Sequence, residues 1–456
     1  MLLAFSLWLQ QGVIDRSADA STATRVLDLP VAILPPNGTL SHVASVELLA
    51  LAGAQALLLW LVYRAIAGRA CGVPVLVGLG AAFLAMVVVD LGARTSLSND
   101  AYAYIGYAKL ASLREAYSPL NAPLSGSFAA VNAIWGVPLV PCIYGPAWLE
   151  GMRVLLSHAT SLADAYAVLR LTNLALFVAV IASLHGLVRQ PVLTALVALN
   201  PALHRLFIAD VHNDLGGVLL VLVAFLFYRM RWRRVAIVAA ALAGLVKLPL
   251  LAIGLLIACA EREARRRISV ACAVLALGLA AYWAFVGNAY LAALRAVALG
   301  HALPGLHSLG ARYEVYAALH VLLVCASLGT LAIAVVTGRD WEGGLWSLPT
   351  LASRVFPWYA LWSLPLAALR PRRLASFLVA IPLVTMLMEH AIVPFGRTGT
   401  LTLVLAAFLA ACLSSVYRAQ TAAGWLRRRG TAEASRNAGN SSTENWSPVV
   451  KGPNSA

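Results

Sequence analysis

The chain has 456 residues, of which 61% are hydrophobic and 12% charged, with a mean hydropathy of +0.81 and a formal net charge of +15. That apolar content exceeds what a water-soluble core of this length can bury, so the chain must use lipid as part of its solvent. The positive balance does not describe a nucleic-acid patch, because the arginines fall in short clusters between apolar runs, which is a pattern of membrane topology. Six cysteines (Cys71, Cys142, Cys259, Cys272, Cys325 and Cys412) are scattered without CxxC or metal-ligand spacing. No disulfide framework, metal site or cofactor is expected from them.

Residues 1–14 are apolar but lack the basic start and small-residue cleavage site of a secretory signal, and they read as part of a first span within an N-terminal segment 1–43. Runs near the ~20 residues that cross a bilayer follow at 44–66, 72–92, 165–188, 191–208, 213–230, 268–287, 315–337, 374–392 and 398–417. The segments 235–258 and 343–369 lie between arginines, Arg234 and Arg262 for the first and Arg339 and Arg370 for the second, and each carries a proline near its middle, Pro249 and Pro357. Proline interrupts a helix, and positive ends stay in the cytoplasm, so both read as broken helix pairs that return to the side they left. The predicted fold is an all-α polytopic membrane protein with about nine or ten full spans plus two broken helix pairs. It comprises a multispanning domain 44–417 and a basic, largely disordered tail 418–456. Arg64, Arg189, Arg229 to Arg234, Arg262 to Arg267, Arg339, Arg370 and Arg427 mark the cytoplasmic ends, which leaves the loops 93–164 and 288–314 outside.

The loop 93–164 is too long for a connector. It opens with Ser98-Asn99-Asp100, and an apolar stripe at Tyr102, Gly106, Leu110, Leu113 and Tyr117 predicts a helix lying in the membrane interface. Asp100 fits two roles, an N-cap of that helix or a general base. His212-Asn213-Asp214, at the outer start of the 213–230 run, divides the same way between capping and gripping a sugar or phosphate. Lys247 demands more of an explanation, because a charge at mid-bilayer costs about 2.5–3.5 kcal/mol. In a straight helix over 235–258 it would lie roughly 18 Å from either end, beyond the reach of its stem. At the tip of a broken pair it could meet an anionic group from outside. Arg312 and Glu314, and Glu389, His390 and Arg397, fall on the same predicted side and read as anchors or ion-pair partners. Trp358, Tyr359 and Trp362 read as interfacial aromatics or as a face on which a sugar ring stacks.

Five stretches, in order, resemble the polyprenol-phosphate-mannose-dependent mannosyltransferases of the GT-C superfamily, including the bacterial glycosyltransferase family 87 type. They are Asn99-Asp100-Ala101-Tyr102-Ala103-Tyr104, Tyr144-Gly145-Pro146-Ala147-Trp148, Asn200-Pro201 with His212-Asn213-Asp214, Val246-Lys247-Leu248-Pro249, and Phe356-Pro357-Trp358-Tyr359-Ala360-Leu361-Trp362. The resemblance implies an inverting transfer of a hexose from a lipid-linked phosphate sugar to a glycan or glycolipid hydroxyl, on the extracytoplasmic face of the plasma (inner) membrane. It makes Asp100 the catalytic base, Lys247 and Arg312 the donor-phosphate contacts, and Tyr102, Tyr104, Tyr144, His212, Asn213, Asp214, Trp358 and Tyr359 the sugar or acceptor contacts. Members often carry an Asn-Pro-Tyr-like element after the interfacial helix, whereas this chain reads Tyr117-Ser118-Pro119-Leu120. Two other readings use the same residues, a transporter or flippase for a lipid-linked sugar and a non-catalytic subunit of an envelope glycan assembly. The first is disfavoured by the lack of an internal repeat.

Overall fold

Among the residues that the computed structural model describes, every regular element is helical. These residues are 1–19, 42–67, 72–93, 100–118, 124–131, 141–298, single positions between 325 and 337, 357–368 and 371–392. The predicted run 398–417, the tail 418–456, most of 315–337 and the first half of the second broken pair lie outside them, as does Arg312.

The chain begins with α1 (Leu2–Asp19), which packs against α2 (His42–Ile66) and α3 (Val73–Gly92). Gln10 and Gln55 bond to each other between the first two at 3.0 Å. The loop region holds α4 (Asp100–Ala108), α5 (Leu113–Ala116) and α6 (Pro146–Leu155). Next comes α7 (Leu162–Val188), started by a capping box in which Ser161 Oγ accepts from the Asp164 amide and Asp164 accepts from the Ser161 amide, both at 3.1 Å.

Among the described residues four helices, Val46–Ile66 within α2, α3, α7 and α13 (Ala264–Val286), are long and apolar enough to cross a bilayer. Large side chains such as Val77, Leu84, Val88, Trp283 and Phe285 project from α3 and α13 with more than half of their surface exposed. Apolar faces of that extent are stable against acyl chains and not against water. The protein is therefore a helical membrane protein.

The run 191–208, expected as one straight span, is bent by 49° between α8 (Pro191–Ala198) and α9 (Pro201–His204), the latter continuing into a π turn, Arg205–Ala209. Pro201 supplies no amide donor and holds Asn200 in an extended conformation. Asn200 secures the bend, its Oδ1 accepting from the Leu203 amide at 3.4 Å and its Nδ2 donating to Leu378 O at 2.7 Å on α16 (Pro371–Ile392). Below the bend, His204 and Asp90 of α3 pair at 3.0 Å, both fully buried.

The run 213–230 becomes α10 (Asp214–Arg229), 16 residues and hence about 24 Å long. The segment 235–258 is interrupted at Lys247, which is extended between α11 (Arg233–Val246) and α12 (Leu248–Gly254), and it closes with a 3-10 turn, Leu255–Ala260. A Cβ on Gly254 would stand 2.9 Å from Ala240 O, and one on Gly244 would stand 2.7 Å from Leu251 Cβ. In a straight helix, positions 240 and 254 would be about 21 Å apart, so the two arms fold back on each other. The described elements also include the 3-10 turns Gly126–Phe128 and Pro357–Ser363, α14 (Asn288–Ala298) and α15 (Leu364–Ala368).

The expected interfacial helix is shorter and differently placed. It stops at Ala108, and Lys109 Nζ donates instead to Leu156 O at 2.6 Å and Ala159 O at 2.9 Å. Ser112 then caps a separate turn, α5, by accepting from the Glu115 amide. Residues 101–108 are buried, with α5, α6 and α7 packed against α4, so α4 presents no face to water. The stripe at Tyr102, Gly106 and Leu110 is real, but the opposite face is filled by Tyr104 and Tyr107, which a cover of further residues also needs.

Candidate functional site

The start of α4, the residues before α10, the break at Lys247 and the 3-10 turn Pro357–Ser363 meet at one end of the helical body. What holds this meeting in register is a set of side chains from α7. Arg170, 6% exposed, donates to Leu91 O at 2.6 Å, to Ala93 O and to Ala209 O at 3.3 Å, and its guanidinium lies 4.5 Å from the Tyr166 ring centre. Asn173 Nδ2 donates to Phe207 O at 2.8 Å and His212 O at 3.1 Å, and the Tyr166 hydroxyl to Ala209 O at 2.9 Å. These bonds satisfy carbonyls that a bent, non-helical stretch leaves open, which hydrocarbon would not do. Val211 sits at φ 58°, a left-handed conformation that a β-branched residue rarely adopts, directly before His212.

The capping explanation of His212-Asn213-Asp214 does not hold for Asn213. It occupies the position before α10 but makes no side-chain cap bond. Its Oδ1 instead accepts from the Tyr104 hydroxyl at 3.2 Å. Asp214 Oδ1 accepts from Lys247 Nζ at 2.9 Å and from Trp362 Nε1 at 2.6 Å. Lys247 is 4% exposed and enclosed by aromatic faces, with ring centres 4.4 Å away at Tyr359, 5.4 Å at Trp362 and 5.7 Å at Tyr144. The charge that the sequence marked as expensive is thus neutralised by one carboxylate and cushioned by three rings. Asp214 Oδ2 and Asn213 Nδ2 have no hydrogen-bond partner among the described residues.

Asp100 is the member of the group that reaches the surface. Its side chain is 13% exposed and its Oδ2 lies 3.7 Å from His212 Nδ1, whereas the His212 side chain is fully buried. Burial, then the nearby Lys247 charge, push the His212 imidazole well below its ordinary 6.5 and keep it neutral. Burial, then the Asp100 and Asp214 carboxylates, push Tyr104 well above its ordinary range, so it remains a phenol that donates. Tyr144 stands edge-on to Tyr104 at 4.9 Å and accepts at its carbonyl from the Tyr117 hydroxyl at 2.8 Å. Asp100, Tyr104, Tyr144, His212, Asn213, Asp214, Lys247 and Tyr359 are therefore brought together. Tyr102 is not, because its ring stacks on Tyr166 at 5.3 Å on the other face of α4. The Trp358 side chain and Arg312 lie outside the described residues. Trp362, Arg170 and Asn173 belong to this end as well. The first reads from the sequence as an interfacial aromatic or a sugar-stacking face, and the other two are polar residues inside an apolar run, the signal that singles out Lys247.

No family model, curated protein or solved structure matches this chain. Among the described residues no three His, Cys, Asp or Glu side chains converge as metal ligands.

Two expected results follow from this geometry. Gly145 donates its amide to Val246 O at 2.9 Å, and a Cβ there would meet Leu245 O at 2.0 Å and the Tyr282 hydroxyl at 2.8 Å. Gly145→Ala should lower unfolding stability in detergent by about 1–3 kcal/mol or more, since backbone must move to admit it. An unchanged melting temperature would contradict that close approach. For His212, the unfolded chain takes up a proton as pH falls through 6.5 while the folded chain resists it. Stability is thus unaffected above that pH and declines below it. His212→Gln should flatten the decline between 6.5 and about pH 5. Parallel wild-type and variant curves would refute it.

Proposed function

We propose that this chain is an inverting membrane glycosyltransferase that moves a hexose, mannose by resemblance, from a polyprenyl-phosphate donor to a hydroxyl of a glycan or glycolipid. The observation that carries this reading is the partly exposed Asp100 carboxylate 3.7 Å from a buried, neutral His212, at the same end as the buried Lys247–Asp214 pair. In the proposed step the acceptor oxygen attacks the anomeric carbon as the bond from that carbon to the donor phosphate breaks. The acceptor proton passes to Asp100, and polyprenyl phosphate leaves. His212 stands beside Asp100 as a neutral imidazole. Lys247 has three donor protons and gives Asp214 one of them, so it can meet the donor phosphate without surrendering that pair. Tyr359 and Tyr144 offer ring faces to the sugar, and Arg312 is a second phosphate contact in the same scheme.

The apolar helices give the prenyl tail a place beside the site, and the grouping of arginines at the far ends of the helices argues that the site faces away from the cytoplasm of a plasma membrane. The decisive experiment supplies purified protein with polyprenyl-phosphate sugars that differ in the sugar, together with a lipid-linked glycan acceptor. Transfer of one labelled hexose is the expected result. Movement of the intact lipid-linked sugar across a liposome without transfer would replace the enzyme by a transporter, and neither activity with any donor would leave a structural subunit.

A further inference from the structure

The geometry points to a binding site for the phosphate of an anionic phospholipid at the opposite end of α10 from Asp214. There the ends of α7, α10, α11 and α15 and the turn Leu255–Ala260 border an open cavity of ≈ 840 Å³. Its wall is apolar at Leu187, Val188 and Phe225 and basic at Arg229, Arg231 and Arg233.

The positive charge there is only partly compensated. Glu261, its side chain 8% exposed, pairs with Arg233 at 3.0 Å and also takes the Tyr228 hydroxyl. Arg229 donates to the neutral Leu187 carbonyl at 2.6 Å, which satisfies a proton and leaves the charge. Arg231 makes no side-chain bond to the described residues, and it sits at φ 66° in the turn between α10 and α11, where glycine or asparagine would be the ordinary occupant. Among the described residues one carboxylate thus faces three guanidinium groups. Beside the cavity Trp232, 55% exposed, stacks on Phe227 with ring centres 5.5 Å apart, and Met230 is 50% exposed, so the rim lies at the level where aromatic side chains meet headgroups.

This combination selects the occupant. A soluble anion needs the guanidinium groups but gains nothing from an apolar wall continuous with the lipid-facing helices. A lipid phosphate uses both, its headgroup on Arg229 and Arg231 and the first part of its acyl chains against Leu187, Val188 and Phe225.

The test is native mass spectrometry of the full chain in neutral detergent, titrated separately with phosphatidylglycerol, phosphatidylcholine and inorganic phosphate. Phosphatidylglycerol should be retained in preference to phosphatidylcholine, and Arg231→Gln, which removes no side-chain bond among the described residues, should reduce that preference about fivefold. The double variant Arg229→Gln/Arg231→Gln should reduce it further, while Arg234→Gln/Arg262→Gln, equal in charge but outside the cavity wall, should preserve it. Equal retention of both lipids, or equal loss in the two double variants, would overturn the site. So would a bound inorganic phosphate that displaces phosphatidylglycerol, since the pocket would then serve a free anion. The readout is lipid retention and not sugar transfer, so it stands or falls apart from the proposed transferase.

Discussion

Asp100→Asn is expected to reduce sugar transfer by about 10²–10⁴-fold, the usual contribution of a positioned general base, while leaving the protein folded. The substitution is informative because it separates the two roles that the residue could have. Asparagine caps a helix about as well as aspartate does, so an Asp100 that served only α4 would tolerate the change with full activity. What asparagine cannot do is accept the proton. The loss of one negative charge at a helix start costs about 0.3–1 kcal/mol, so the melting temperature of the purified variant should move only slightly. Transfer should be measured at saturating donor and acceptor, where the loss appears in kcat. Wild-type kcat in a folded Asp100→Asn variant would remove the base assignment. Loss of folding together with activity would return Asp100 to a structural role, and Asp100→Glu, which keeps a base one methylene farther out, should then recover neither.

The polar residues of this end were legible in the sequence because each interrupts an apolar run or opens a long loop. Asp100, His212, Asn213, Asp214 and Lys247 all carry that signal. Their pairing was not legible. Lys247 finds its carboxylate 33 positions away and Asp214 finds the Trp362 indole 148 positions away, separations that no periodicity reports. The rule that a charge inside an apolar run needs a reason was also applied unevenly. It selected Lys247 but passed over Arg170, Asn173, Asp90 and His204, which lie in runs read as plain spans and which tie α3, α7 and α9 together. The same holds for proline, since Pro249 suggested an interruption while Pro201, equally central to its run, did not, and the helix bends there by 49°. At α4 the periodicity was read correctly and its meaning was not. A stripe of apolar residues shows that one face is buried, and only the packing of Tyr104 and Tyr107 reveals that the other face is buried too.

Lys247→Met is expected to destabilise the protein by about 3–5 kcal/mol, because it leaves the Asp214 carboxylate buried with the Trp362 indole as its remaining donor among the described residues. Asp214→Leu should cost somewhat less, since the ammonium it abandons keeps the faces of Tyr359, Trp362 and Tyr144 around it. Combining the two removes both charges and fills the space with apolar atoms, so the double variant should recover much of the lost stability, with a coupling of about 0.5–3 kcal/mol in a double-mutant cycle followed by denaturant unfolding in detergent. Strictly additive costs would mean that the 2.9 Å contact does not act as an ion pair. Activity then divides what stability cannot. If Lys247 only neutralises Asp214, the refolded double variant regains transfer along with its fold. If the ammonium also meets the departing phosphate, as proposed, the double variant is stable and still loses transfer, because the charge developing on the leaving group has lost its nearest buried cation.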